Sequence, residues 1–407
     1  MDFRMVSFNE ALQIIEGEFL QIPKEIIEVS LNESSGFTLA EDIHADVNLP
    51  AFNNSSMDGY TINFNGNQKS WNIIGEISAG NFKDYIIDVD SAVRIMTGGK
   101  IPQGANAVVP IEDIIEDQDK FVLRDGIRIK LNQNIRFKGE DLKSGHIALS
   151  RNSLIRAQNI SLIAACGKTK LKVNKKLSIG VLATGDELVD ITTDPGEDKV
   201  RATNLYSLLA SIKEIDMNPI NLGIVKDDKV LLRNTISAAL TSELDILMTT
   251  GGVSVGKYDY LKDVFMEVGV DAKFWKVNIK PGRPLYFGKY VKGDKTILVF
   301  GLPGNPVSSF ANFTLLIKPA IQKYYGTDSM NFHRATLDTP IKKNDSKRHF
   351  IRGIIRFDSV SNKFVVKQSG SQSSGNLAGL SSSNCLIVIP EEMIDPPEGE
   401  EVTCIMI

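Results

Sequence analysis

Apolar and polar residues alternate along this chain in three rhythms, and each rhythm predicts a different architecture. Near the start, Ala11, Leu12, Ile14, Ile15, Phe19 and Leu20 recur at helical spacing behind Ser7-Phe8-Asn9-Glu10, whose serine and glutamate have the spacing of a capping box. An amphipathic helix is expected there, as scaffold. From residue 26 to about 150 the rhythm shortens. Runs such as Trp71 to Ile74 and Ala92 to Met96 alternate with Gly, Pro and Asn turns, which predicts a mainly β domain. Helical spacing returns over 154–166, so the chain on either side of the β domain is expected to build one discontinuous scaffold.

Between 176 and 327 the pattern becomes β-α-β-α. Strands are predicted at 177–183, 218–225, 244–249 and 296–300, and helices at 204–215, 230–241, 260–268 and 306–325. Such alternation calls for a mostly parallel sheet covered on both faces. Beyond Gly326, β-like runs at 334–337, 352–357, 363–367, 385–389 and 401–407 predict a small barrel or sandwich, with the Ser- and Gly-rich stretch 368–383 as a loop. The expected division is a scaffold of 1–45 with 146–175, an inserted β domain of 46–145, an α/β domain of 176–327 and a C-terminal β domain of 328–407.

Composition narrows the function classes. A chain of 407 residues is too long for one core, and 42% hydrophobic with 24% charged residues is ordinary for a soluble globular protein. A net charge of -4 and a pI near 5.8 argue against general nucleic-acid or membrane-surface binding, so any anion site is local. Cys166, Cys385 and Cys404 are too few and too scattered for a disulfide framework or a cysteine zinc site. Neither a secretory signal pattern nor an apolar run of membrane length is read, and a cytoplasmic location with no membrane partner is expected.

In a parallel α/β sheet, ligands gather at the carboxyl ends of the strands. Here those ends carry Thr184-Gly185-Asp186-Glu187, Lys226-Asp227-Asp228, a glycine loop, and Gly301-Leu302-Pro303-Gly304-Asn305-Pro306-Val307-Ser308-Ser309. The glycine loop, Thr249-Thr250-Gly251-Gly252-Val253-Ser254-Val255-Gly256-Lys257-Tyr258-Asp259, reads as a strand emptying into a phosphate-sized turn, although glycine turns of this kind also serve purely structural ends. Asp186, Glu187, Asp227, Asp228 and Asp259 would share one rim with loops suited to phosphates, and carboxylates and phosphates repel. A hard cation, most simply Mg²⁺, reconciles them by taking one or two carboxylates together with phosphate oxygens and water. For Asp227 and Asp228 the competing role is to cap the helix that starts near Val230.

A second constellation, Lys276-Val277-Asn278-Ile279-Lys280-Pro281-Gly282-Arg283-Pro284, holds three cations in a segment stiffened by two prolines. That suits an oxyanion, with solvated lysines as the ordinary alternative. The polar turns around Asn53 to Tyr60, Met96 to Pro102 and Lys138 to Asp141, like Arg352-Gly353 and Gln372 to Gly375, carry no chemistry by residue type alone. His44, His146, His333 and His349 lie far apart in sequence without metal-ligand spacing, and neither a G-x-S-x-G elbow nor a Walker loop occurs. Ordinary hydrolase and NTPase readings lose weight accordingly.

Together these segments resemble the molybdopterin molybdenumtransferase (MoeA) family, which includes the E domain of gephyrin. The resemblance rests on Asn54-Ser55-Ser56-Met57-Asp58-Gly59-Tyr60, Ile95-Met96-Thr97-Gly98, Gly139-Glu140-Asp141, Thr184-Gly185-Asp186-Glu187-Leu188, Gly251-Gly252-Val253-Ser254-Val255-Gly256, Lys280-Pro281-Gly282 and Gly301 to Ser308, in the family's order and nearly end to end. It implies a multidomain α/β plus β fold: a central MogA/MoaB-like parallel α/β domain, an inserted mainly β domain, a helical/extended scaffold domain and a C-terminal small β-barrel. It also implies an elongated subunit in a homodimer, with the α/β and last domains of one subunit facing the β domain of the other.

The implied substrates are adenylylated molybdopterin and molybdate, with Mg²⁺ as cofactor and AMP released as the metal enters the dithiolene. Matched by position, Glu187, Asp227 and Asp259 are catalytic and hold the metal together with Asp228, while Asp58, Thr97 and Asp141 are catalytic groups brought by the second subunit. Thr184, Gly185, Asp186, Gly251, Gly252, Ser254, Gly256, Pro303, Asn305 and Pro306 are the implied substrate contacts, and Lys276, Lys280, Ser308, Arg352 and Ser374 the molybdate contacts. Gly370-Ser371-Gln372-Ser373-Ser374 leaves Ser373 and Ser374 interchangeable in the match, and Arg283 stands where the family often has lysine. Transient contacts with the adenylyltransferase and with apo-molybdoenzymes are implied as well. Two other readings stay open. One is the adenylyltransferase of the same pathway, whose single α/β domain carries a related Gly-Gly loop without flanking β domains. The other is a gephyrin-like scaffold that binds a peptide.

Overall fold

The computed structural model describes residues 5–66, 68–78, 80, 83–252, 260–327 and 331–407. The chain sorts into two compact units, one made of Met1–Ile27, Gly36–Thr38 and Asn174–Ile407 and the other of Glu28–Ser35 and Leu39–Val173.

The first unit is built on a seven-stranded sheet in the order Met5–Val6, Asp271–Val277, Pro284–Lys292, Lys295–Leu302, Ile246–Thr250, Ser178–Thr184, Asn218–Val225. The last four strands are mutually parallel, as the β-α alternation requires. Side chains of these strands alternate between two faces. Ile179, Val181, Ile246, Met248, Leu298 and Phe300 pack with Leu205, Leu208 and Ile212 of the helix Thr203–Glu214. Leu182, Leu247 and Val299 pack with Leu232, Ile236 and Leu240 of the helix Lys229–Thr241 and with Val264 and Phe265 of Leu261–Glu267.

Two features go beyond the expected mostly parallel sheet. The strands Asp271–Val277 and Pro284–Lys292 form an antiparallel ribbon against Lys295–Leu302, so the sheet is mixed. Interleaved lysines, prolines and a glycine hide the apolar positions Phe274, Val277, Leu285 and Phe287 from a periodicity count. The helix Phe8–Phe19 does begin at Ser7, whose hydroxyl accepts from the Glu10 N–H at 3.2 Å. Read as scaffold, it instead closes the α/β core, because its buried face of Phe8, Ala11, Ile15 and Phe19 joins the same cluster as Ile321 and Tyr324.

The long helix expected over 306–325 runs as Pro306–Asn312, a π-helical turn Phe313–Ile317 and Lys318–Tyr325, and stops at Gly326 with φ 76°. Beyond it, Arg348–Asp358, Lys363–Gln368, Phe332–Leu337, Glu401–Met406 and Cys385–Ile389 pair in that order, and the last returns to the first, closing a five-stranded barrel. Closure decides between the barrel and the sandwich. The stretch read as a loop over 368–383 contains a short helix, Leu377–Ser381. A two-residue strand, Ile279–Lys280, pairs with the barrel at Arg348 and His349 and so fixes the barrel to the end of the ribbon.

The second unit carries a six-stranded sheet in the order Ile114–Asp117, Lys120–Leu123, Ser70–Ile77, Ser91–Ile95, Gly59–Ile62, Ala107–Pro110. Its core stacks Trp71 on Phe121 at 5.3 Å, with Tyr60 4.7 Å from the same ring. Cys166, Cys385 and Cys404 are buried and reduced. Among the described residues no helix is long and apolar enough to cross a membrane.

Candidate functional site

The order of the parallel strands creates a switch point, because the chain leaves Ser178–Thr184 toward one edge and Ile246–Thr250 toward the other. Thr184 and Thr250 flank it, paired through Ala183 to Thr250 in register. Gly251, at φ 95°, comes so close that a Cβ there would meet the Thr184 carbonyl oxygen at 2.2 Å, so only glycine fits. A cavity of about 300 Å³ opens at this point, lined by Thr184, Glu187, Arg201, Asn204, Thr250 and Gly304, with Pro306 at its edge. The Asn204 amide donates to the Gly304 carbonyl at 2.8 Å and holds the 303–306 turn in place.

The acidic loops after the two neighbouring strands meet. Gly185 N–H donates to the Val225 carbonyl at 3.2 Å, and Asp227 N–H to an Asp186 carboxylate oxygen at 3.3 Å. Asp228 acts as the N-cap of Lys229–Thr241, accepting from Val230 and Leu231 N–H at 2.9 Å each. That is the capping role weighed for it from sequence. Among the described residues no three His, Cys, Asp or Glu side chains cluster tightly enough to form a metal cage. Ser254, Gly256 and Asp259 lie outside the described residues, whereas Gly251 and Gly252 lie within them.

A larger cavity, about 830 Å³, lies between the ribbon turn and the barrel and is lined by Lys280, Pro281, Gly282, Arg283, Ser308, Lys342, Lys347, His349, Arg352, Ser373 and Ser374. Among the described residues no carboxylate lines it. Gly282, at φ 95°, lets the turn press on Asn312, where a Cβ would come within 2.6 Å of the amide oxygen.

Arg352 is almost wholly buried, at 1% exposure. Its guanidinium donates to the carbonyls of Asn376 at 2.7 Å, Ser371 at 2.7 Å and Ser373 at 3.0 Å, so it shapes the serine loop. Burial pushes the guanidinium below its ordinary pKa. Those three bonds use three of the five N–H donors that an arginine carries. The Ser374 carbonyl accepts from Val307 N–H at 3.2 Å, which joins the serine loop to the turn bearing Ser308.

Of the expected oxyanion contacts, Lys280, Ser308, Arg352 and both candidate serines come together here. Lys276 does not. It lies on the strand Asp271–Val277 with its ammonium 4.9 Å from the Trp275 ring centre. Pro303 and Asn305 line neither cavity; Asn305 is the N-cap residue of Pro306–Asn312 and accepts from Ser309 N–H at 3.0 Å through its carbonyl.

In the second unit the three polar turns converge. Ser55 pairs with Ile135, Gly98 N–H donates to the Ser55 carbonyl at 2.8 Å, and Lys138 N–H donates to the Asn53 side chain at 2.8 Å. One carboxylate oxygen of Asp58 accepts from both the backbone N–H and the hydroxyl of Thr97, each at 2.7 Å. Those bonds, the backbone one first, hold the Asp58 carboxyl below its ordinary pKa. Asp141 pairs with Arg136, which also donates to Glu140 at 3.0 Å, and the two acids hold the guanidinium above its ordinary value.

Sequence reading overlooked Arg136, Arg201, Asn204, Lys342 and Lys347. It named His349 only as one of four scattered histidines. The one available signal was the basic cluster Lys342-Lys343 and Lys347-Arg348-His349, which reads as a solvated face until the barrel turns it toward Lys280.

Three family models match successive parts of the chain: the MoeA N-terminal region (domain I and II) over residues 6–167, the probable molybdopterin binding domain over 180–323, and the MoeA C-terminal region (domain IV) over 334–407. A molybdopterin molybdenumtransferase of Haemophilus influenzae is 34% identical over 391 residues, covering 95% of each chain. One of Staphylococcus aureus is 33% identical over 400 residues, covering 95% of this chain and 91% of the relative. Among solved structures, the molybdopterin biosynthesis MoeA protein of Pyrococcus horikoshii superimposes with a TM-score of 0.83 at 30% identity, covering 99% of this chain and 100% of that one. A Pyrococcus furiosus molybdenum cofactor biosynthesis protein shares the fold, with a TM-score of 0.62 at 23% identity over 99% of this chain and 100% of its own.

Proposed function

The chain belongs to the molybdopterin molybdenumtransferase (MoeA) family and thus to molybdenum cofactor biosynthesis, and on that premise we propose that it inserts molybdate into adenylylated molybdopterin with release of AMP. The observation that carries this reading is the cation-lined cavity. A tetrahedral dianion needs convergent donors without competing carboxylates, and Lys280, Ser308, Arg352 and Ser373 or Ser374 supply them by charge-assisted hydrogen bonds. Arg352 and the ribbon turn are held by contacts of their own, so the donors stand in place before the ligand arrives.

The substrate's phosphate and pterin are assigned to the switch-point cavity and the glycine turn. Thr184 and Pro306 line that cavity, and Gly185, Asp186, Gly251, Gly252, Pro303 and Asn305, close to lining residues along the chain, are assigned to the substrate with them, as are Ser254 and Gly256 on the adjoining segment. Mg²⁺ fits the donor set in the limited sense that it asks the protein for only one or two carboxylates. Glu187 and Asp227 would hold it with Asp259, while Asp228 stays on its helix cap. When bound, the ion would neutralise charge on the phosphoanhydride oxygens. Glu187, at the rim of the 300 Å³ cavity, would orient the water or accept its proton.

The proposal includes a cytoplasmic homodimer in which Asp58, Thr97 and Asp141 serve the site of the second copy, the four-part domain division given above, and transient contacts with the adenylyltransferase and the acceptor enzymes. The test is rescue. Expression of this chain in cells lacking their molybdenumtransferase restores molybdoenzyme activity, and the Glu187→Gln chain does not. Failure of the unaltered, folded chain to restore activity would remove the assignment.

A further inference from the structure

The oxyanion cavity contains one side chain that binding a dianion does not call for. His349 is 5% exposed and sits in the cavity wall, in register with Lys280 across the Ile279–Lys280 pairing. Its Nε2 lies 2.8 Å from an Asp345 carboxylate oxygen, which also accepts from Lys347 N–H at 3.0 Å. Burial works against ionisation of Asp345, but the hydrogen bonds from Lys347 N–H and from His349 outweigh it and hold the carboxyl below its ordinary value. A carboxylate accepts only, so Nε2 carries the proton and Nδ1 keeps its lone pair. Among the described residues Nδ1 makes no hydrogen bond.

The other ionisable groups on the wall are Lys280, Arg283, Lys342, Lys347 and Arg352, with Asp345 and Lys343 behind His349. Lysine and arginine side chains enter neutral pH already protonated and offer no lone pair. An imidazole backed by a carboxylate both takes and gives a proton in that range.

Resting on the molybdate assignment made above, we propose that His349, held by Asp345, relays a proton from the substrate's thiol to the oxygen that leaves molybdate. The balance is simple. Molybdate plus the dithiol gives the trioxo dithiolene and one water: two S–H bonds and one Mo–O bond break, two Mo–S bonds form, and both thiol protons leave on the oxygen. Charge is conserved, no oxidation state changes, and no further reagent is required. Nδ1 accepts a thiol proton, Asp345 stabilises the imidazolium that results, and the imidazolium gives the proton to the departing oxygen.

The sign of the pH dependence follows. Relay requires neutral His349, and burial pushes the imidazole below its ordinary 6.5, against the opposing pull of Asp345. The insertion rate therefore holds at neutral pH and falls on an acidic limb with a midpoint under 6.5.

The test compares the unaltered chain with His349→Gln and Asp345→Asn, using molybdate binding by calorimetry and the pH profile of AMP release from adenylylated molybdopterin. His349→Gln should bind molybdate within about twofold, lose about 10²-fold in insertion rate, and lose the acidic limb; free imidazole should restore part of the rate. Asp345→Asn keeps the imidazole but not its support, and should slow the reaction and displace the limb, which serves as the readout should His349→Gln not fold. The relay is overturned if His349→Gln keeps both rate and limb, or if its rate falls only as its molybdate affinity falls. If the unaltered chain binds no molybdate, or binds it equally well after Lys280→Ala, the cavity assignment itself fails and the relay with it.

Discussion

Two polar surfaces of this molecule hold charge in opposite ways. In the second unit the candidate carboxylates are balanced within the protein, Asp58 by two donors from Thr97 and Asp141 by Arg136. In the larger cavity Lys280, Arg283, Lys342, Lys347 and Arg352 share one space with no carboxylate among its described lining residues, Asp345 standing behind the wall 3.8 Å from the Lys347 ammonium. A balanced surface keeps its geometry without a ligand and suits groups that orient or accept protons. An unbalanced one stores a positive potential that an anion completes, and the fold maintains it by holding Arg352 with carbonyls rather than with a counter-charge.

Four substitutions test these assignments, the first at the switch-point cavity and the other three at the two contrasted surfaces. Glu187→Gln should cut AMP release by about 10²–10⁴-fold while leaving the circular dichroism spectrum unchanged; a rate within about threefold of normal would remove Glu187 from the chemistry. Arg352→Met leaves three loop carbonyls without their donor and should cost at least about 3 kcal/mol in denaturant unfolding, the worth of one or two hydrogen bonds to a charged group. Molybdate affinity should fall with it. Unchanged stability would mean that the serine loop is held by something else.

Lys280→Ala should weaken molybdate binding about tenfold, corresponding to one charge-assisted contact of about 1.4 kcal/mol, without altering the unfolding midpoint. The smallest effect is at the balanced surface. Asp58 has a lowered carboxyl, so whatever it adds to stability is present above its ordinary 3.8 and is lost as pH falls through the lower folded value. Carbon-13 titration should place its midpoint below 3.8, and Thr97→Val, which removes the hydroxyl donor but keeps the backbone one, should move it partway back. A midpoint that Thr97→Val leaves in place would show that the backbone N–H alone balances Asp58.

Sequence made the parallel strands legible because each strand and helix carries its own period, and Thr184, Glu187 and Thr250 could be placed at strand ends from that alone. The ribbon 271–292 was not legible, since its two strands are stabilised by each other across a turn that looks, residue by residue, like a constrained loop. The helix Phe8–Phe19 was recognised as amphipathic, but nothing in its spacing names the surface its apolar face will meet. The same limit hid the cavity's second wall. Lys342, Lys347 and His349 come from a polar stretch, and only closure of the barrel and the pairing of Lys280 with His349 turn them toward the ribbon. Lys276, matched by position as an oxyanion contact and part of the same cationic run as Lys280, stands on the strand Asp271–Val277 with its ammonium over the Trp275 ring.

In the proposed reaction this chain couples molybdate entry to cleavage of adenylylated molybdopterin. The most direct measurement incubates the purified chain with adenylylated molybdopterin and Mg²⁺, with and without molybdate, and follows AMP. The account predicts AMP release that rises with molybdate and is suppressed in the Lys280→Ala chain at limiting molybdate. AMP release indifferent to molybdate, or its absence alongside consumption of ATP and molybdopterin to form the adenylate, would contradict it.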